Sequence, residues 1–552
     1  MSKRKGQTFV FGAIVLMASN ILVKLIGAVF RIPLTSIIKT EGMAYFNSAY
    51  AIYVMFYNIS TAGIPVAVSR MVSASASRGN YKEAQKIFSI ALKLFLVIGV
   101  VGTSVMMFGA KFFAENSKMA DSYYAILAIA PTVFFICISS AYRGYFQGMS
   151  DMVPTAVSQV IESVGKLGIG LAAAIYCTYK GFPANITAAF VISGVSIGVA
   201  FSMFYAMAEK VKYNFSDEYK RKINECKFNA RTSKVILKEL VITAIPITLA
   251  SSIMGLTNLV DTFIMADRLI STGVSVKAAT SFYGTYSSMV IPLFNMTPTF
   301  IYPFAISAIP AISSAIAAKN NAKAFLNIES AFRNCAIIAI PCAIGMGTMS
   351  KGIIGMLFKD EIIYDGEKAV SAVELAAPAL TVVSCAIIFL GVIAITNSVL
   401  QAFRFEKYTI IATSSGIVVK LFVTYFASGI PNIGILGSAV GTLLCYFTIM
   451  AINLFFIIKK IGYVPNVKRI FLKPLMSGIS CGVTAIVVYS LLLRVGIGNS
   501  LSTLVAVAAG AAVYAAVLLL SKGIMREDIL MMPKGEKICA VMDKYNLLEK
   551  QG

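Results

Sequence analysis

Lys24, Arg31, Lys93, Lys166 and Lys420 all fall inside stretches apolar enough to cross a lipid bilayer. A charge at bilayer depth costs roughly 2.5–3.5 kcal/mol even on lenient insertion scales, so it normally faces a polar interior or a pathway. Two of the five are one lysine met twice. Aligned without a gap, Tyr145–Leu167 and Val399–Leu421 put Gln147 on Gln401, Thr155 on Thr409, Lys166 on Lys420 and Leu167 on Leu421. A duplicated intramembrane cation predicts a two-lobed transporter whose halves both offer positive charge to an anionic cargo.

Spacing arranges these cations in stripes. Asn20, Lys24, Gly27 and Arg31 fall within an arc of about 60° on one helix at about 100° per residue. Lys24 lies roughly 24 Å into that helix, too deep to reach water easily, whereas Arg31 is near enough to the far interface to snorkel outward. A second stripe holds Thr155, Gln159, Glu162, Lys166 and Gly170 within about 80°. Glu162 and Lys166 are i,i+4 neighbours, so they are expected to pair, either beside the cargo or simply to staple helices. In the second copy Gly416 stands where Glu162 does, which leaves Lys420 for a ligand anion or a wet cavity, beside Thr409, Thr413 and Gly416. A third stripe holds Ser251, Asn258 and Asp261. Two roles are open for Asp261: binding a proton or sodium ion for coupling, or neutralising Lys24 or Arg31 across the lobe interface. Lys93, seven residues into its helix, is expected to snorkel to water.

Other chemistry is excluded by what is missing. The chain has no histidine, and its nine cysteines are scattered without a Cys-x-x-Cys pair, so neither a metal site nor a cofactor is expected. No Gly-x-x-x-x-Gly-Lys-Ser/Thr loop is present, which excludes ATP-driven transport by this chain. With 58% hydrophobic and 13% charged residues among 552, and a mean hydropathy of +0.80, the fold class is an all-α polytopic membrane protein. The net charge of +23 follows membrane topology, and nucleic acid is not an expected partner.

Fourteen helices are expected, near 8–38, 44–70, 86–112, 123–142, 152–178, 185–208, 238–266, 283–318, 331–358, 374–401, 405–428, 434–458, 473–495 and 501–522. Lysine and arginine concentrate on one side of this pattern; the loop Glu209–Glu239 alone carries nine, while Lys359–Glu374 is net acidic. The positive-inside rule then puts both termini in the cytoplasm. The repeat widens with Ser77–Lys82 against Ala318–Lys323, and with Gly102–Phe113 against Gly347–Phe358. The expected organisation is a six-helix lobe at 1–208, a basic linker at 209–237, a second lobe at 238–472, two extra helices at 473–522 and a tail at 523–552. Parallel repeats of this kind place a substrate site between lobes near the bilayer midplane.

The runs Gly27-Ala28-Val29-Phe30-Arg31-Ile32-Pro33-Leu34, Ala62-Gly63-Ile64-Pro65-Val66-Ala67-Val68-Ser69-Arg70 and Tyr142-Arg143-Gly144-Tyr145-Phe146-Gln147-Gly148, with Met152-Val153-Pro154-Thr155-Ala156 and Ser158-Gln159 after them, carry a resemblance. The chain resembles the SpoVB/YtgP polysaccharide-exporter group of the MOP superfamily, which is related to the lipid II flippase MurJ. The resemblance implies two six-helix lobes in a V, a lipid-tail groove on helices 13 and 14, and a cationic cavity where first-helix arginines contact a diphosphate. Lys24 and Arg31 occupy comparable places. The family also has arginines partway along the second helix and in the eighth; here Arg70 ends the second helix and the eighth has none, so Lys166 and Lys420 are expected to supply that charge.

The function implied is a flippase in the bacterial cytoplasmic membrane. Its cargo would be lipid II or a related undecaprenyl-diphosphate-linked saccharide, moved by alternating access. The expected partners are that anionic lipid and the bilayer, with a monovalent coupling ion left open. Two transport alternatives remain: a MATE-type drug or cation antiporter, and an exporter of another lipid-linked polysaccharide unit used in sporulation. A non-transport membrane scaffold that keeps the fold is a further rival, for which charge-neutral changes at Lys24 and Lys166 would be harmless; an embedded enzyme fits least, because nothing in the sequence supplies acid/base groups.

Overall fold

The computed structural model describes residues 9–61, 63–226, 229–431, 433–523 and 525. The first eight residues and most of the expected tail lie outside this description, as does the side chain of Ser251. Helix α1 spans Phe9–Thr61, but Lys39 leaves helical geometry at φ 60° and ψ −179°. Sixteen residues of straight helix would hold Phe30 and Phe46 roughly 24 Å apart. Their rings are 6.1 Å apart, so the chain reverses at Lys39 and the two arms of α1 pack side by side. Positive φ at a non-glycine residue is costly, and the burial of both arms holds it there.

Twelve helical stretches among the described residues are long and apolar enough to cross a membrane. The first, Ala18–Ser77, contains the reversal at Lys39 and so accounts for two crossings. With the 28-residue α10 (Ser233–Val260) the arrangement is compatible with the expected fourteen. The protein is a multi-pass helical membrane protein. Its one departure from all-helix among the described residues is an antiparallel hairpin, β1 (Ile362–Asp365) and β2 (Lys368–Ser371), in the connection expected to be acidic loop.

The turns that follow two aligned segments of the expected repeat share one backbone pattern. After α6 (Pro131–Gly148), Met149, Ser150 and Asp151 donate to the carbonyls of Tyr145, Gln147 and Phe146. After α17 (Ala372–Ala402), Phe403, Arg404 and Phe405 donate to Val399, Gln401 and Leu400 in the same order. Ser150 and Arg404 both take positive φ, at 61° and 60°. The gapless match that pairs Lys166 with Lys420 puts these two turns in register; the same turn also follows Tyr179, Arg494 and Leu520. The other two registers need correction. Asn80 caps α3 (Tyr81–Phe108) and Asn320 caps α15 (Asn321–Thr348), so Ser77–Lys82 matches one residue earlier than the sequence reading had it. The breaks at Gly109 and Met349 likewise move the third match by five residues. Apolar side chains of similar size leave such slips invisible until caps are seen.

Two compact units divide the chain, Met1–Asp267 and Arg268–Gly552. In the first, α7 (Val153–Tyr179) and α8 (Ala184–Phe215) approach to backbone distance. A Cβ built on Gly198 would lie 2.7 Å from the Glu162 carbonyl oxygen, and one on Gly194 would lie 2.6 Å from the Gly170 nitrogen. Small residues at such crossings are how membrane helices pack without a hydrophobic driving force between them. Gly198→Leu is expected to push the helices apart at a cost of about 3 kcal/mol, the upper end of overpacking. Thermal unfolding in detergent checks this, and an unchanged midpoint would contradict it. The linker also belongs to this unit: Arg231 Nε donates to Glu83 Oε1 at 2.9 Å, while Lys86 Nζ donates to the Arg231 carbonyl at 2.7 Å. In the second unit, α17 packs against α15 and α19 (Leu436–Ile461), α18 (Glu406–Ala427) pairs with α19, and α20 (Val467–Arg494) with α21 (Asn499–Leu520).

Candidate functional site

In the first unit, the first arm of α1 and α7 run alongside each other in the same direction. Ser19 Oγ donates to Gln159 Oε1 at 3.2 Å near one end. Eleven residues further along each helix, Phe30 packs on Gly170, where an added Cβ would stand 2.9 Å from the ring. The stripe on α7 thus meets α1 through Ser19 and Phe30, each one residue before a member of the first stripe. Asn20 and Lys24 are exposed, and a Cβ on Gly27 would meet nothing within 4 Å, so this face of α1 opens outward. Arg31 is half-buried and donates to Asn47 Oδ1 at 3.1 Å, which turns it across to the second arm of α1.

Lys166 is half-buried with its ammonium between two rings, 5.0 Å from the Phe30 centroid and 4.8 Å from that of Tyr50. Rings at this distance attract a cation by roughly 0.5–2 kcal/mol while leaving its charge uncancelled. The expected Glu162–Lys166 pair does not form. Glu162 Oε2 instead accepts from Arg143 at 2.9 Å. Arg143, one residue past the expected 123–142 helix, is 6% exposed and also donates to Ser158 at 2.9 Å and Ser202 at 2.8 Å. A guanidinium with several donors matches a carboxylate and two hydroxyls better than an ammonium does, so it wins the acid.

Surroundings also separate the two repeat lysines. Lys420 is 1% exposed, with Thr413 and Thr424 of its own helix buried too. The expectation that Lys420 faces a wet cavity is not met in this structure, because its side chain is enclosed by protein. Asp261 is buried and opens a π-helical segment, Asp261–Met265, while Asn258 is exposed and its carbonyl accepts from the Thr262 hydroxyl at 3.0 Å. Extra residues in a helical turn often mark functional positions. Lys93 is exposed on α3.

Sequence reasoning missed three enclosed cations: Arg143, Lys210 and Arg333, all under 7% exposed. Arg143 and Lys210 lie where a helix runs further than hydropathy allowed, whereas Arg333 falls within the expected 331–358 helix, which begins ten residues earlier, at Asn321. Lys210, near the end of α8, donates to Gln85 Oε1 at 2.9 Å and sits 3.6 Å from the Tyr145 ring centroid, with Phe88, Tyr213 and Tyr219 around it. Arg333 lies 3.6 Å from Glu329, which also takes Arg469 at 3.2 Å. On the far side of α7 from helix α1, an apolar hollow of about 820 Å³ is lined by Ile161, Val164, Gly168, Tyr176, Phe190 and Phe201 among others. No group of three or more acids and cysteines able to hold a metal ion occurs among the described residues.

A bundle of membrane-crossing helices with cations along the seam between α1 and α7 has the make-up of a transporter-type membrane protein rather than a soluble or single-span one. The chain belongs to the polysaccharide biosynthesis protein family, whose model matches residues 9–316. It is homologous to stage V sporulation protein B of Bacillus subtilis (strain 168), 26% identical over 444 residues that cover 78% of this chain and 80% of that protein. It is also homologous to the lipid II flippase MurJ of the same organism, 24% identical over 492 residues covering 85% and 86%. Among solved structures, the lipid II flippase MurJ in an inward closed conformation aligns with a TM-score of 0.65 at 15% identity, over 92% of this chain and 98% of that one. An inward-facing multidrug resistance MATE family transporter of the MOP superfamily aligns at 0.64 and 15%, over 82% and 98%. Both share the fold.

Proposed function

We propose that this protein is a flippase that carries an undecaprenyl-diphosphate-linked saccharide, lipid II or a close relative, across the bacterial cytoplasmic membrane by alternating access. The carrying observation is Lys166, a cation at bilayer depth resting on two rings while the acid one turn away is bound by Arg143. With Lys24 and Arg31 on the adjacent helix, Asn20 and Gln159 beside them, the seam offers charge and hydrogen bonds to a diphosphate head. Charge-assisted contacts of ammonium and guanidinium are the strong ones for phosphate oxygens. Homology to two proteins of cell-envelope and sporulation biology supports the cargo class. The polyprenyl tail would stay in lipid, along α20 and α21. Lys420 would serve the second unit in a conformation that opens it, and Asp261, with Glu162 and Asn258, would balance charge or bind a coupling ion.

With both termini in the cytoplasm, export moves negative charge outward. An inside-negative potential favours this by about 2.3 kcal/mol per charge per 100 mV, so a diphosphate needs no ion gradient to turn over. A drug or cation antiporter of the MATE type shares the fold but would present acids to its cargo, whereas this seam presents cations. Bacteria depleted of their lipid II flippase are expected to grow when supplied with this protein, and to lose that growth with Lys24→Ala at equal membrane abundance. A well-expressed wild-type protein that fails to restore growth would move the cargo to another lipid-linked saccharide.

A further inference from the structure

The seam holds one lysine apart from the acid one turn away. Glu162 and Lys166 stand one turn apart on α7, the spacing at which an acid and a base ordinarily pair. They do not pair, because Arg143 on α6 takes the Glu162 carboxylate at 2.9 Å while Ser158 and Ser202 fix the guanidinium at 2.9 Å and 2.8 Å. The rings of Phe30 and Tyr50 then hold the Lys166 ammonium at 5.0 Å and 4.8 Å. Those rings are themselves braced by Phe46, 6.1 Å from Phe30 and stacked on Tyr50 at 5.9 Å. Among the described residues no acid is in ion-pair contact with Lys166.

We propose that Arg143, Phe30 and Tyr50 are positioning residues for anion binding: Arg143 withholds Glu162 from Lys166, and the two rings hold the ammonium in place with its positive charge uncompensated. The division of labour follows from chemistry. A carboxylate partner would cancel the charge an incoming diphosphate must feel, whereas a ring face stabilises the cation and is easily displaced by phosphate oxygens. The pair of rings also fixes the long, flexible lysine chain, so less of its freedom is lost when the anion arrives. The inference rests on the flippase reading for the identity of the anion, but the lysine's placement does not.

Two readouts separate these levels. In detergent-solubilised full-length protein with methyl-labelled lysines, Lys166, assigned by its loss in Lys166→Gln, is expected to give a signal shifted by the ring currents of Phe30 and Tyr50. Phe30→Leu should remove that shift. Arg143→Gln should move the signal as Glu162 turns to the lysine, and Arg143→Gln with Glu162→Gln should return it. An unshifted signal in wild type, or one untouched by both changes, overturns the proposal. In nanodiscs titrated with undecaprenyl diphosphate, affinity should fall at least tenfold in Phe30→Leu and in Arg143→Gln, and recover in the Arg143→Gln/Glu162→Gln double variant. Glu162→Gln alone should keep wild-type affinity, which a merely structural role for the Arg143–Glu162 pair would not allow. Neither single variant should weaken binding further in a Lys166→Gln background; additive losses there overturn the proposal. A wild-type protein with the shifted lysine signal that ignores undecaprenyl diphosphate supports the placement and overturns the cargo reading.

Discussion

Lys166→Gln is expected to abolish export while leaving the protein folded. Two charge-assisted contacts from this ammonium to a diphosphate are worth about 3–4 kcal/mol together, which is roughly a 100- to 1000-fold loss of cargo affinity. Nothing comparable is lost from the fold. The amine gives up only its attraction to Phe30 and Tyr50, about 0.5–2 kcal/mol, and glutamine relieves the cost of holding a charge there. The unfolding midpoint should therefore stay within a few degrees of wild type while growth of flippase-depleted cells fails. Lys420→Gln offers the contrast. That side chain is 1% exposed, so its replacement acts first on packing, and its midpoint should fall. Equal loss of stability in both variants would show that Lys166 is a structural cation like its repeat partner.

Arg143→Leu is expected to be among the most destabilising single changes in the first unit. It removes three hydrogen bonds at once and leaves Glu162 facing a partner that is gone. Breaking a buried ion pair from one side typically costs 3–5 kcal/mol, mostly the penalty of the stranded charge. The lower end, about 3 kcal/mol, is expected here, because Lys166 stands one turn away and can take the acid. Arg143→Leu with Glu162→Leu should regain most of the loss, since apolar replacements of a buried pair are often neutral. Unfolding midpoints of the wild type, both single variants and the double variant measure the coupling directly. Additive effects of the two changes would mean that the pair contributes nothing as a pair.

Much of the site was legible because helical periodicity is a strong signal. The stripe Asn20, Lys24, Gly27 and Arg31 does lie along one face, and the stripe Gln159, Lys166 and Gly170 does run beside it. The reversal at Lys39 was legible too, since no membrane could accommodate one straight helix from 18 to 77. Partner choice was not. Sequence spacing made Lys166 the obvious mate of Glu162, but spacing along one helix says nothing about what a neighbouring helix delivers. A signal for Arg143 did exist: it and Ser158 lie almost equally far from the positive-φ turn at Ser150, so two helices closing on that turn bring them level. Hydropathy hid this by ending the helix near residue 142, one residue short of the arginine. Repeat registers slipped for a related reason. Leucine, isoleucine and valine substitute for one another freely, whereas the capping residues Asn80 and Asn320 fix their positions through hydrogen bonds to Glu83 and Lys323. Burial of Lys420 was beyond reach, because an identical residue in an aligned repeat need not meet identical neighbours.

On the proposed function, a diphosphate-linked saccharide lipid crosses the membrane by means of the cationic seam. The most direct measurement reconstitutes purified protein into liposomes carrying fluorescent undecaprenyl-diphosphate-linked saccharide, and follows its arrival on the far leaflet with a membrane-impermeant quencher. Wild type should equalise the leaflets, faster when the imposed potential draws negative charge across, and Lys166→Gln should not exceed protein-free liposomes. Wild-type protein that leaves the lipid on its starting leaflet, or a Lys166→Gln variant that moves it at the wild-type rate, would contradict the account.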